Sequence, residues 1–152
     1  MQTPAEIRTA LVAELKRIKT TNGFATDITD TNVFQSYHEY EQASLREAEN
    51  WPRLVLLQAE REYKQEANNR RIAEDAWIIE VRGIASESVP AYAFVDAISA
   101  DMTKLFDRNY LTAQGVKTRT EVTVLEQKSN EAVAHGDVVT VNFAIAFTYQ
   151  IA

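Results

Sequence analysis

From Val139 onward every second residue is large and apolar: Val139, Val141, Phe143, Ile145, Phe147, Tyr149 and Ile151. The residues between them, Thr140, Asn142, Ala144, Ala146, Thr148 and Gln150, are small or polar. A period of two sends alternate side chains to opposite faces, so this stretch predicts a long β-strand with one buried face. The other end of the chain carries the helical period. Ile7, Ala10, Leu11, Leu15 and Ile18 form one stripe behind Thr3-Pro4-Ala5-Glu6, a capping box with proline at the first helical position. This predicts a helix over residues 3–20. Asn22-Gly23 supplies a residue tolerant of positive φ beyond its end, and Phe24 is placed to pack back onto the last turn.

Between these two elements the period changes several times. Arg53–Glu62 opens with Leu54-Val55-Leu56-Leu57, a buried run that becomes polar. In Ile72–Arg82, Trp77, Ile79 and Val81 share one face, while Ala76, Ile78 and Glu80 share the other. Residues 65–69 predict the hairpin loop between these strands, and Gly83 closes the pair. Ser88-Val89-Pro90 introduces a second helix with the stripe Ala91, Phe94, Val95, Ile98, Met102 and Leu105. A turn over Tyr110–Gly115, a strand over Thr118–Leu125 and a polar loop over Ser129–Asp137 lead into the final strand. The order predicts one α+β domain over residues 1–152, with a mainly antiparallel sheet of about four strands and two amphipathic helices packed on it.

Residues 25–50 break the regularity. Asp27, Asp30, Glu39, Glu41, Glu47 and Glu49 face a single basic residue, Arg46, so this stretch carries most of the net charge of −6. Val33, Phe34, Tyr37 and Tyr40 lie within it. A short strand near Asn32–Tyr37 and a mildly helical Tyr40–Glu49 are expected inside what is otherwise a long acidic loop, ended by Trp51-Pro52.

Composition excludes several chemistries. There are no cysteines, so disulfides, thiolate metal sites and cysteine nucleophiles are absent. The net negative charge and the scattered basic residues argue against a general phosphate-binding surface. Gly23, Gly83, Gly115 and Gly136 stand singly at element ends and form no phosphate-binding loop. His38 and His135 lack metal-ligand spacing, and no nucleophile accompanies them. Glu74 and Asp75 point to opposite strand faces, and Asp96 and Asp101 lie far apart around their helix; both pairs are expected to be solvated charges. No catalytic, cofactor or metal residue is therefore assigned. The N-terminus lacks the uninterrupted apolar core of a signal peptide, and no stretch is long and apolar enough to span a bilayer, so a soluble protein made in the cytoplasm is expected.

Taken together, Asn22-Gly23-Phe24 after the first helix, Trp51-Pro52-Arg53-Leu54-Val55-Leu56, and Trp77-Ile78-Ile79-Glu80-Val81-Arg82-Gly83 after Arg71-Ile72-Ala73 form a pattern. With Ala100-Asp101-Met102-Thr103-Lys104-Leu105 and the closing strand through Phe143, Ile145 and Phe147, it resembles the tail terminator and tail completion proteins of tailed bacteriophages, the lambda-type minor tail proteins. The resemblance implies a virion protein assembled in the bacterial host cytoplasm. It also implies a six-membered ring that caps the head-proximal end of the tail tube, ends tube growth and joins tail to neck. Its implied partners are further copies of itself, the tail tube protein and a neck or head-completion protein. The genome would pass through the lumen without specific binding, and no cofactor, catalysis or membrane is involved. A neck or head-completion protein of the same virion, and a monomeric non-viral binding module, are the alternatives.

In a ring subunit, Val33, Phe34, Tyr37 and Tyr40 are candidates to order against a neighbour or the tube, with a mobile charged insertion as the other reading of the acidic loop. Tyr149 and Ile151 are candidates at the end of the last strand. That end would either pair with a neighbouring subunit or bend around its own core.

Overall fold

The computed structural model describes residues 3–44, 51–65, 70–106, 110–111, 116–117, 119–127 and 138–151. Helix α1 runs from Pro4 to Leu15, and its capping box is formed: Thr3 accepts from Glu6 N–H, and the Glu6 carboxylate accepts from Thr3 N–H at 2.8 Å. It is shorter than the periodicity predicts. Beyond Leu15 the chain switches to i−3 hydrogen bonds, Arg17 to Glu14 and Ile18 to Leu15, which still bury Ile18. Gly23 then adopts φ +86°, the left-handed conformation expected there.

The segment after Phe24 holds more structure than a loop. A two-residue strand β1 (Val33–Phe34) and a helix α2 (Tyr37–Ser44) follow a short 3-10 turn at Asp30–Asn32. Next come β2 (Arg53–Gln65), β3 (Arg71–Ile84) and helix α3 (Ala91–Leu105). The short pair β4 (Tyr110–Leu111) and β5 (Val116–Lys117), then β6 (Arg119–Gln127) and β7 (Val138–Gln150), complete the described chain. Residues 112–115, 66–69 and 128–137, which include most of the predicted turn, the hairpin loop and the polar loop with His135, lie outside the described residues.

The main sheet has the order β1-β2-β3-β7-β6. All its neighbours are antiparallel except β1, which lies parallel to Leu54–Val55. The fold is thus α+β, with a fifth strand and a third helix drawn from the acidic segment. The odd-numbered residues of β3 and β7 form the buried face: Ala73, Trp77, Ile79 and Val81 beside Val139, Val141, Phe143, Ile145, Phe147 and Tyr149. The stripes of α1 and α3 share one core with that face. A smaller cluster, Phe34, Tyr40 and Val55 with Leu57 against it, includes residues of α2 and its neighbours on the opposite face.

The end of the final strand finds its partner inside the chain. β3 extends to Arg71, so Tyr149 pairs with Ala73 and Gln150 with Ile72, and Ile151 N–H donates to the Arg71 carbonyl at 3.0 Å. The sequence leaves this open because alternation tells which face of a strand is buried, not which strand lies beside it.

Gly83 follows the last β2–β3 pair, Arg53–Arg82, as predicted, while β3 itself runs on to Ile84 beside β7; the missing side chain has a steric reason. A Cβ at Gly83 would meet the Phe94 ring of α3 at 2.6 Å. Gly83→Ala should therefore destabilise the fold by about 1–3 kcal/mol, the usual cost of overpacking. In a Phe94→Leu background the same substitution should cost far less. Urea unfolding of the four proteins of this cycle measures the coupling.

Candidate functional site

Two clusters at opposite ends of β3 contain all six residues singled out from the sequence except Val33, which is buried in the main core. The first lies beneath α2. Phe34 and Tyr40 are buried and meet edge to face, with centroids 5.5 Å apart and planes at 82°. Arg82 lies over the Tyr40 ring at 4.9 Å and the Tyr37 ring at 5.8 Å, and Arg53 lies over Trp51 at 4.4 Å. Glu80 ties these together. Its carboxylate accepts from the Tyr37 hydroxyl and from Arg82 Nε. The bond to Glu80, with burial adding to it, raises the Tyr37 phenol above its ordinary range. Glu80 and Arg53 are both buried. Arg53 also lies 5.7 Å from the centre of the Tyr40 ring, so a short, polar helix is held on the sheet by two guanidinium groups against its aromatic side chains.

The outward side of α2 carries what remains. Tyr37 is 38% exposed, and His38, Glu39 and Glu41 face solvent. Phe34 and Tyr40, candidates for a contact with a neighbour or the tube, are packed within the chain. Phe34 is buried where β1 lies parallel to Leu54–Val55, and Tyr40 where α2 packs on Phe34, Val55 and the Arg53 and Arg82 guanidinium groups, partners that the local sequence does not give.

The second cluster lies at the hairpin end. Arg61 grips Asp75 with both arms of its guanidinium, Nε at 2.7 Å and Nη2 at 3.0 Å, and the Tyr149 hydroxyl donates to the same carboxylate at 3.0 Å. Burial first, and then the Asp75 charge, push the Tyr149 phenol well above its ordinary range. Beside this triad, Tyr63, Lys64, Gln65, Arg71 and Ile151 line a hollow of about 470 Å³. Tyr63 is 63% exposed, and Arg71 reaches solvent.

The expectation that Asp75 and Asp101 are solvated is overturned. Asp75 is buried because Arg61 and Tyr149 satisfy it. Asp101 is buried because it accepts from the Ala25 and Thr26 backbone N–H groups at 2.8 and 2.9 Å, and from the Thr26 hydroxyl. One turn on, Lys104 Nζ donates to the Gly23 carbonyl and sits over the Phe24 ring at 5.0 Å. The carboxylate and ammonium of α3 together fix the exit of the chain from α1. Their partners lie 75 to 81 residues away, out of reach of any spacing argument. Glu74 and Asp96 do face water, as expected.

On the open part of the other face, Glu62 and Glu74 stand directly opposite across β2 and β3, with Lys64 Nζ 3.0 Å from Glu74 and 4.0 Å from Glu62. Among the described residues no group of three or more His, Asp or Glu could hold a metal ion. No helix there is long and apolar enough to cross a membrane. Neither a protein-family model nor a curated protein matches the chain.

Tyr149→Phe removes one bond to a carboxylate that keeps Arg61, so it should cost about 1 kcal/mol at neutral pH. A phenol whose folded pKa is raised contributes fully below the unfolded value, about 10, and loses that contribution as pH rises further. The gap between wild type and Tyr149→Phe should therefore narrow above pH ~10. Chemical denaturation of both proteins from pH 7 to 11 measures it; a gap that widened instead would contradict this placement of the hydroxyl.

Proposed function

We propose that the chain is the subunit of a ring that caps the head-proximal end of a phage tail tube, ends tube growth and joins tail to neck. The observation that carries this reading is an unpartnered edge. β1 accompanies β2 only at Leu54 and Val55, and among the described residues no strand lies beside Leu56–Gln65 on that side. An edge of that length in a lone subunit is a liability, whereas a closed assembly covers it. The resemblance of the element pattern to tail terminators supports the same reading, as does the confinement of α1 and α3 to one face of the sheet.

The open face carries Glu60, Glu62 and Glu74, all accessible. Turned toward a lumen, these carboxylates would repel the phosphates of a passing genome. Phage carrying lysine at all three positions should deliver DNA more slowly, and unchanged delivery would remove the face from the lumen.

One observation favours a second reading, a monomeric binding module. The open edge is broken by a bulge between Gln58 and Glu60 and carries Glu60, Arg61, Glu62 and Lys64, devices that keep edges from pairing. Light scattering of the purified protein, alone and with tail tubes added, separates the two. The ring reading predicts a species about six times the 17.2 kDa of the chain, formed either alone or on the tubes. A monomer indifferent to tubes at every concentration would favour the module.

A further inference from the structure

We infer that the hollow at the hairpin end is the socket for α2 of a neighbouring copy, an inference that rests on the self-assembly reading above. The chemistry of the two surfaces is complementary. The hollow presents Arg71 and Lys64, whose ammonium also pairs with Glu74 at 3.0 Å, with the Tyr63 ring and Ile151 as its apolar part. Neither Arg70 nor Arg71 has an ion-pair partner among the described residues. The exposed side of α2 presents Glu39 and Glu41 with the accessible part of Tyr37. Carboxylates would meet guanidinium and ammonium, and one tyrosine would lie on another. Opposite charges facing each other in this way set register and partner choice.

The two surfaces cannot meet within one chain. Glu80, beneath α2, and Arg71, at the hollow, are nine residues apart on one strand, roughly 30 Å of extended chain at about 3.3 Å per residue. Most of each surface also lies on a different face. α2 covers the face of Val55 and Glu80, while Arg71 and Tyr63, which pairs with Ala73, lie on the face of the main core; Lys64, paired with Ile72, reaches the hollow from the face of α2. A contact between different patches of identical chains is head-to-tail, the kind that closes into a ring when the rotation per step permits. The contact joins Tyr37 and Ile151, the two sequence-identified candidates not fully buried in the chain itself.

Charge exchange tests the socket. Lys64→Glu/Arg71→Glu and Glu39→Arg/Glu41→Arg should each weaken self-association about tenfold or more in sedimentation velocity, as expected for contact charges. Equimolar mixing of the two variants should restore a contact, since each supplies the charge the other now requires, and the four-site variant should assemble as wild type does. All positions are exposed, and a thermal melt of each variant confirms that it is folded. Association unchanged by either reversal, or folded variants that fail to recover on exchange, would overturn the socket while leaving the ring reading intact. A wild type that never self-associates, with or without tubes, would overturn both.

Discussion

Everything in this molecule hangs on the register between β3 and β7. The two strands pair without interruption from Ile72–Gln150 to Ile84–Val138. Their odd-numbered residues make the floor of the core, and Trp77, Phe143 and Phe147 are among its largest fully buried side chains. Burying each such side chain contributes about 1.5–3 kcal/mol. A slip of one residue would send that whole set into water and bring Thr140, Asn142 and Thr148 inside. α1 and α3 can dock with a single apolar stripe each because this floor is continuous. The one carboxylate on it, Asp75, is tolerated because Arg61 and Tyr149 lie within hydrogen-bond reach.

The same register explains how much was legible in the sequence. The capping box, both helical stripes and the alternation from Val139 to Tyr149 are local signals, and each corresponds to the element it predicts. Local signals also mark the short strand near Asn32–Tyr37 and helical character from Tyr40, where β1 and α2 are found, but they do not give the tertiary partners. Val33 and Phe34 pair with Leu54 and Val55, and Tyr37–Ser44 docks because Glu80, Arg82 and Arg53 hold its aromatic residues. The burial of Asp101 depends on Ala25 and Thr26 arriving from the other side of the molecule. Carboxylates in otherwise apolar stripes, at Asp75 in β3 and Asp101 in α3, were the one available hint, since a charge at a core position needs a partner.

The six residues singled out from the sequence separate along the same line. Val33, Phe34, Tyr40 and Tyr149 serve the chain's own packing. Tyr37 and Ile151 stand at opposite ends of the sheet, one beside carboxylates and the other beside cations. A subunit built this way has a polarity along its strands, which suits repeated head-to-tail contact better than a two-fold pair. The unpartnered stretch of β2 and the acidic open face would then be surfaces for the tube, the neck or the lumen of the proposed ring.

The most direct test of that proposal is an image. Two-dimensional averages of the purified protein by electron microscopy, alone and on the ends of tail tubes, should show closed rings of six copies around an open lumen. Averages that show only single small particles, with tube ends bare, would contradict it.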